Sequence, residues 1–354
     1  MPPEMTYGVK MKNIIITKMK LNFYISGIVS MLVAPLLVVS GLVLMPMAVH
    51  AAHDHHSVPE APIGIMGHHV HPQGEWMLSY SYMQMDMEGN RDGTDSLAVP
   101  LPGYMVSPLS MDMDMHMLGV MYGVTDKLTL MAMLPVQSIS MDHSINMSGM
   151  QFTTESSGIG DLKLSAIFET GVNWVVSGGL NIPTGSIDEK DVTPMSSGNP
   201  VQLPYPMQLG SGSYELTLGT TYIKSYGDNS WGNKADITVR LDENDRDYKL
   251  GNSVVLSSWY SYSLNEKNNI SFRVKILDWD NISGADSALN PMMVPTADAN
   301  LRAGTRADAL LGYNYKINES TLIGLEIGAP VYQDLNGPQL ETDLTIQAGV
   351  QYEF

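Results

Sequence analysis

The 354 residues carry 37 Asp and Glu against 19 Lys and Arg, a formal net charge of −18, with 27 methionines and no cysteine. So acidic a balance excludes a nucleic-acid binder, which needs basic patches; it suits a surface that stays soluble or attracts cations. Without cysteine there is no disulfide, no thiolate metal site and no thiol nucleophile.

The first element in chain order is an export signal over residues 1–51. Lys10, Lys12, Lys18 and Lys20 form a basic start, Leu21 to Met47 an apolar middle, and Ala48, Ala51 and Ala52 a small-residue end, the three parts of a secretory signal. Cleavage is placed after Ala51; a retained anchor is the alternative, because the apolar run is long. Removing 1–51 takes away those four Lys and Glu4, leaving 15 Lys and Arg against 36 Asp and Glu, a net charge of −21. Residues 52–74 then form a short His-rich arm containing His53, His55, His56, His68, His69 and His71. Pro59, Pro62 and Pro72 argue against a strand, so a flexible periplasmic arm is expected, either a solvated leader or a transient ligand set for Cu(II), Zn(II) or Ni(II), which accept imidazole.

From residue 75 onward the hydropathy period is two. At the C-terminus Leu344, Ile346, Ala348, Val350, Tyr352 and Phe354 alternate with Thr345, Gln347, Gly349, Gln351 and Glu353, the pattern of a half-buried strand. Twelve such segments are predicted, over 75–88, 111–124, 128–141, 160–169, 172–183, 213–225, 231–241, 248–263, 269–280, 303–317, 320–332 and 341–354. Short Asn/Asp/Gly turns such as Thr125-Asp126-Lys127 and Gly227-Asp228-Asn229 alternate with long connections. The long ones are Gly89–Ser110, Asp142–Ile159, Thr184–Gly212, Asp242–Asp247, Asn281–Arg302 and Gln333–Leu340. Short periplasmic turns and longer external loops characterise bacterial barrels. The fold class is therefore all-β: a twelve-stranded antiparallel transmembrane β-barrel over 75–354, in the outer membrane of a Gram-negative bacterium. Lipid and lipopolysaccharide are its expected surroundings.

The phase opposite the apolar stripe points inward. It holds Asp161, Lys163, Glu215, Lys234, Asp236, Arg240, Arg273, Lys275, Arg306, Asp308 and Glu326, which either select a solute by charge or form ion pairs that fill a narrow bore. Methionines crowd between Met77 and Met150. If strand two runs without a bulge, Met113, Met115 and Met117 point inward, as do Met83, Met85 and Met87. With His116 at the rim they are candidate ligands for copper or silver, since thioethers suit soft ions. A bulge turning Asp112, Asp114 and His116 inward, or plain apolar filling, are the alternatives. No resident cofactor and no catalytic residue is expected. Asp142-His143-Ser144-Ile145-Asn146 contains the letters of the outer-membrane phospholipases, but adjacent strand residues face opposite ways.

Ser157-Gly158-Ile159-Gly160-Asp161-Leu162, Leu180-Asn181-Ile182-Pro183-Thr184-Gly185-Ser186 and Leu209-Gly210-Ser211-Gly212-Ser213 stand in that order. Together they resemble the MetA-pathway phenol-degradation family of outer-membrane transporters, over about 110 to 354. Ser186 stands where that family usually has Asp. The resemblance implies a barrel that passes hydrophobic or aromatic compounds, and Phe354 resembles the end signal read by the barrel insertion machinery. Ala61-Pro62-Ile63-Gly64, Met66-Gly67-His68 and the Met-rich early strands resemble a copper-associated subgroup. Two functions follow: a channel or transporter for small solutes, or a Met/His-rich protein of copper or silver handling.

Overall fold

The computed structural model describes residues 59–354; the export signal and His53, His55 and His56 lie outside the described residues. The period-two stretches become β1 (Trp76–Gly93), β2 (Val106–Thr125), β3 (Leu128–Ile145), β4 (Gln151–Ile159), β5 (Leu162–Gly171) and β6 (Trp174–Ile182). They continue as β7 (Glu215–Tyr226), β8 (Asn229–Arg240), β9 (Ser253–Asn265), β10 (Asn268–Trp279), β11 (Gly304–Asn318) and β12 (Thr321–Glu353). Eleven of these form a closed ring of antiparallel neighbours, β12-β11-β10-β9-β8-β7-β6-β5-β3-β2-β1, with β1 pairing back onto β12. Closure leaves no open edge, which a sheet surrounded by hydrocarbon requires. β4 and the short strand Asp95–Leu97 stand off the ring, β4 prolonging the line of β5 along β3.

Two-residue turns join β2 to β3, β5 to β6, β7 to β8, β9 to β10 and β11 to β12. Asn173 and Gly227 in these turns take φ of 70° and 59°, the left-handed geometry that tight hairpins need. At the opposite end strands invade three expected loops. β1 reaches Gly93 and β2 begins at Val106, narrowing Gly89–Ser110; β3 and β4 take up most of Asp142–Ile159. Gln333–Leu340 lies wholly within the 33-residue β12, whose residues up to Leu335 pair with β11 and whose later residues pair with β1. The sequence hides the extension through 142–159 because the outward phase there is polar: Asp142, Ser144, Thr153, Glu155 and Ser157. An outer wall standing in water no longer alternates apolar with polar.

Nearer the two-residue turns the outer face is the reverse of a soluble protein's. Leu118, Leu218 and Leu311 are 54%, 53% and 68% exposed, whereas inward Glu326 is 1% exposed. Such a wall suits a barrel whose apolar band meets lipid. Trp76 lies 4.5 Å from Tyr122 and Trp174 lies 4.9 Å from Tyr222, the start of an aromatic girdle at this end.

The leader is not the solvated arm expected. Residues 59–74 contain no strand, yet Ala61, Ile63, Ile65 and His71 are buried and the segment lodges inside the ring. A backbone without a ladder must find other partners, and the inward side chains supply them. Gly64 N–H donates to Glu326 Oε2 at 2.9 Å, Asn314 Nδ2 donates to Ala61 O at 2.8 Å, and Lys234 Nζ donates to Met66 O at 2.9 Å. Ile63 fits over glycines of β12, where a Cβ on Gly324 or Gly349 would come within 2.6 or 2.9 Å of it.

Candidate functional site

The inward charges mostly face one another. Arg273 binds Glu326 through two bonds of 2.9 Å, Arg240 Nε lies 2.8 Å from Glu215, Arg306 2.9 Å from Asp308, and Lys234 3.4 Å from Asp236. Glu215 also accepts from Asn181 Nδ2 at 2.6 Å. Lys275 stands opposite Asp308 in the β10–β11 ladder, and Lys163 opposite Asn181 between β5 and β6.

Asp161 has a different task from lining a lumen. Its carboxylate accepts from Gly185 N–H at 2.9 Å, Ser211 N–H at 2.8 Å and Ser211 Oγ–H at 2.7 Å. Thr184 Oγ1 donates to Gly160 O at 2.8 Å, and a Cβ on Gly185 would meet Gly210 Cα at 2.7 Å. The three motifs behind the family resemblance are thus one knot, in which the glycines allow backbone on backbone and Asp161 ties the strands. That is a structural role.

β2 pairs with β1 and β3 without a bulge between Ser110 and Gly123. Met113, Met115 and Met117 therefore share the inward phase with buried Met111 and Met121. Met115 stands opposite Met83, Met113 opposite Met85 and Met111 opposite Met87. His116 is not with them: it faces outward, its Nδ1 2.8 Å from Tyr80 Oη, because neighbours along a strand take opposite faces. Many methionines fill apolar clusters. Met77, Met121, Met131 and Ile167 pack with Met66 and Val70 of the leader; Met111, Ile139 and Met141 pack with Leu203, Met207 and Leu209 of the long loop after β6.

His68, His69 and His71 come together. Their ring centroids are 4.4 and 4.7 Å apart in sequence, edge to face. Glu353 joins them: sequence reasoning placed it on the polar phase of the last strand but had no means to bring it to the leader.

At the long-loop end, loops after β6, β8 and β10 fold over the barrel. Arg246 pairs with Asp188 and, at 3.0 Å, with Asp286; Asp286 N–H donates to Tyr205 Oη at 3.0 Å. The loops after β6 and β10 and the nearby strand ends border a cavity of about 230 Å³ whose wall is largely apolar: Val106, Phe152, Leu203, Leu289, Met293 and Val294. His143 forms part of it, stacked on Phe152 at 4.9 Å with Nε2 3.1 Å from Thr154 Oγ1. The phospholipase letters are not assembled: Ser144 takes the opposite face, and Asn146 Nδ2 donates to Leu101 O and Tyr104 O, both at 2.9 Å. Nothing in the sequence marked this cavity, since its walls come from five separate segments.

A family model described as a MetA-pathway of phenol degradation matches residues 102–329. No curated protein matches the chain. An outer-membrane channel of Pseudomonas putida F1 is similar in structure at a TM-score of 0.58 and 14% identity, over 82% of this chain and 100% of that one. The translocator domain of the autotransporter NalP from Neisseria meningitidis gives 0.44 and 11%, over 81% and 91%. The P. putida toluene transporter TodX gives 0.41 and 11%, over 80% and 90%. Of these three the first bears on the fold.

Proposed function

The chain belongs to the family described as a MetA-pathway of phenol degradation, and from that premise we propose that this outer-membrane barrel is a channel for small uncharged apolar or aromatic solutes. The apolar cavity at the outer mouth carries the reading: ligand sites are concave and mainly apolar. The inward charges point the same way, because Arg273, Arg240, Arg306 and Lys234 each already have a carboxylate partner. A lumen that selected ions would leave such charges to the solute. The detergent-purified protein should therefore bind phenol, and Met293→Asp in the cavity wall should weaken binding at least tenfold. Equal affinity with an intact barrel would remove the cavity from the transport path.

We read β12 as two passes, out along β11 and back along β1, which gives twelve crossings. An all-antiparallel ring needs an even number of strands, and both chain ends then fall on the periplasmic side. The domain plan is an export signal over 1–51, an arm over 52–74 and a barrel over 75–354.

One observation favours a second reading. The facing pairs Met83 and Met115, and Met85 and Met113, form a thioether ladder suited to Cu(I) or Ag(I). Met113, Met115 and Met117 changed together to Leu should keep the fold and abolish silver binding; unchanged binding leaves the methionines as packing.

A further inference from the structure

At the short-turn end of the ring the leader meets the closing strand. His69, His71 and Glu353 each bring one ligand atom within 4.8 Å of the others. They border a cavity of about 380 Å³ that Glu75 and Gln351 also line, so an ion and its waters have room.

Each donor is held by a different part of the fold. Glu353 pairs with Met77 in the closing ladder, and its N–H donates to Ser320 O at 2.9 Å. Its side chain takes the inward phase, opposite Tyr352. His71 N–H donates to Thr129 Oγ1 at 2.7 Å, which anchors the backbone of the leader to β3. The ring of His71 is buried, and its Nε2 has no hydrogen-bond partner. A buried polar atom left so calls for an explanation such as an ion.

The state of His69 follows from a chain of donors. His68 Nδ1 lies 3.0 Å from Ile65 O. A carbonyl only accepts, so Nδ1 carries the proton. A neutral imidazole that donates from Nδ1 leaves its Nε2 bare. That Nε2 lies 3.0 Å from His69 Nδ1 and must accept from it. A His69 ring that donates from Nδ1 presents the lone pair of its Nε2. A hydrogen bond to the other ring nitrogen is how metal-ligating imidazoles are usually fixed.

Two neutral imidazoles and one carboxylate are the donor set of borderline divalent ions, with a fourth position for water. Softer Cu(I) prefers thioethers and harder Mg²⁺ prefers oxygen. A tetrahedral ion with bonds of 2.0–2.1 Å holds its donors roughly 3.3 Å apart, so the set contracts by about 1.5 Å at most. We propose that His69, His71 and Glu353 bind a borderline divalent transition-metal ion and so pin the leader to the closing strand. An ion there stabilises the lodged leader by mass action. Binding is expected whether or not any solute crosses the barrel.

The test uses the exported full chain in detergent, with His53, His55 and His56 changed to Asn to remove competing imidazoles. After chelator treatment, calorimetry with Zn²⁺ should show one ion per chain. Glu353→Gln and His69→Asn should each weaken it at least tenfold and abolish the visible spectrum of the Co²⁺-loaded parent. His69→Asn lies outside the barrel wall, so the test stands even if Glu353→Gln fails to assemble. Absence of stoichiometric binding in the parent, or equal affinity in His69→Asn, would overturn the proposal.

Discussion

Replacing Gly64 by Ala should eject the leader while sparing the barrel. A Cβ at Gly64 would lie 2.3 Å from Glu326 Oε2, 2.6 Å from Arg273 Nη2 and 2.7 Å from Gln347 Oε1. Arg273 and Glu326 do not yield readily, since their side chains are 6% and 1% exposed and doubly bonded to each other. Forcing the methyl in costs about 1–3 kcal/mol as overpacking. Withdrawing the leader instead sacrifices the Gly64 N–H bond to a carboxylate, about 1.5–3 kcal/mol. The ring ladders do not involve Gly64, so the loss falls on docking. Taking about 3 kcal/mol, the docked fraction shifts on the order of a hundredfold. The chain has no cysteine, so a single Ile65→Cys reports directly on this buried site. Its alkylation by a water-soluble maleimide should accelerate by about that factor when Gly64→Ala is added. Equal labelling rates, with the barrel still folded, would refute the claim that the leader rests against this ion pair.

Asp161→Ala removes the acceptor of three bonds at once and should cost about 3 kcal/mol, read as faster protease nicking of the loop after β6; an unchanged rate contradicts the knot. His143 sits at the water-exposed end of β3, where burial drives its imidazole down to about 4 against the pull of Asp142. A folded value below the ordinary 6.5 means that its stabilising effect is intact above pH 6.5 and is lost as pH falls toward 4, by up to about 3 kcal/mol. Nicking of the outer loops should rise across that window and His143→Phe should flatten the rise; a pH-independent parent would argue against it. Phe354 lies on the outward phase, stacked on Tyr352 at 5.6 Å, and deleting it should lower the yield of assembled barrel in the outer membrane.

The band that meets lipid was legible because its chemistry repeats every second residue. The same strands became illegible where they leave the membrane: Asp142 and Ser144 outward on β3 and Thr153, Glu155 and Ser157 on β4 give no alternation, so a loop was expected there. The inward charges were found by phase, but that Arg273 meets Glu326 rather than a solute depends on register across two strand pairs, which no local pattern carries. The lodged leader left one trace. Ala61, Ile63 and Ile65 alternate within a polar, proline-rich segment, and inward glycines such as Gly324 and Gly349 leave unfilled volume for Ile63. Prolines ruled out a strand correctly, yet a segment can avoid the ladder and still be buried when wall side chains satisfy its backbone. Glu353 could not be joined to His69 and His71 beforehand, because nearly the whole length of the chain separates them.

Uptake of a labelled small aromatic compound by intact cells tests the central claim most directly, since lipopolysaccharide rather than lipid bars such compounds. Cells making this protein should take up labelled phenol faster than cells lacking it, with Met293→Asp falling toward the rate without the protein at equal amounts of assembled barrel. Uptake that does not depend on whether the barrel is present would contradict the account.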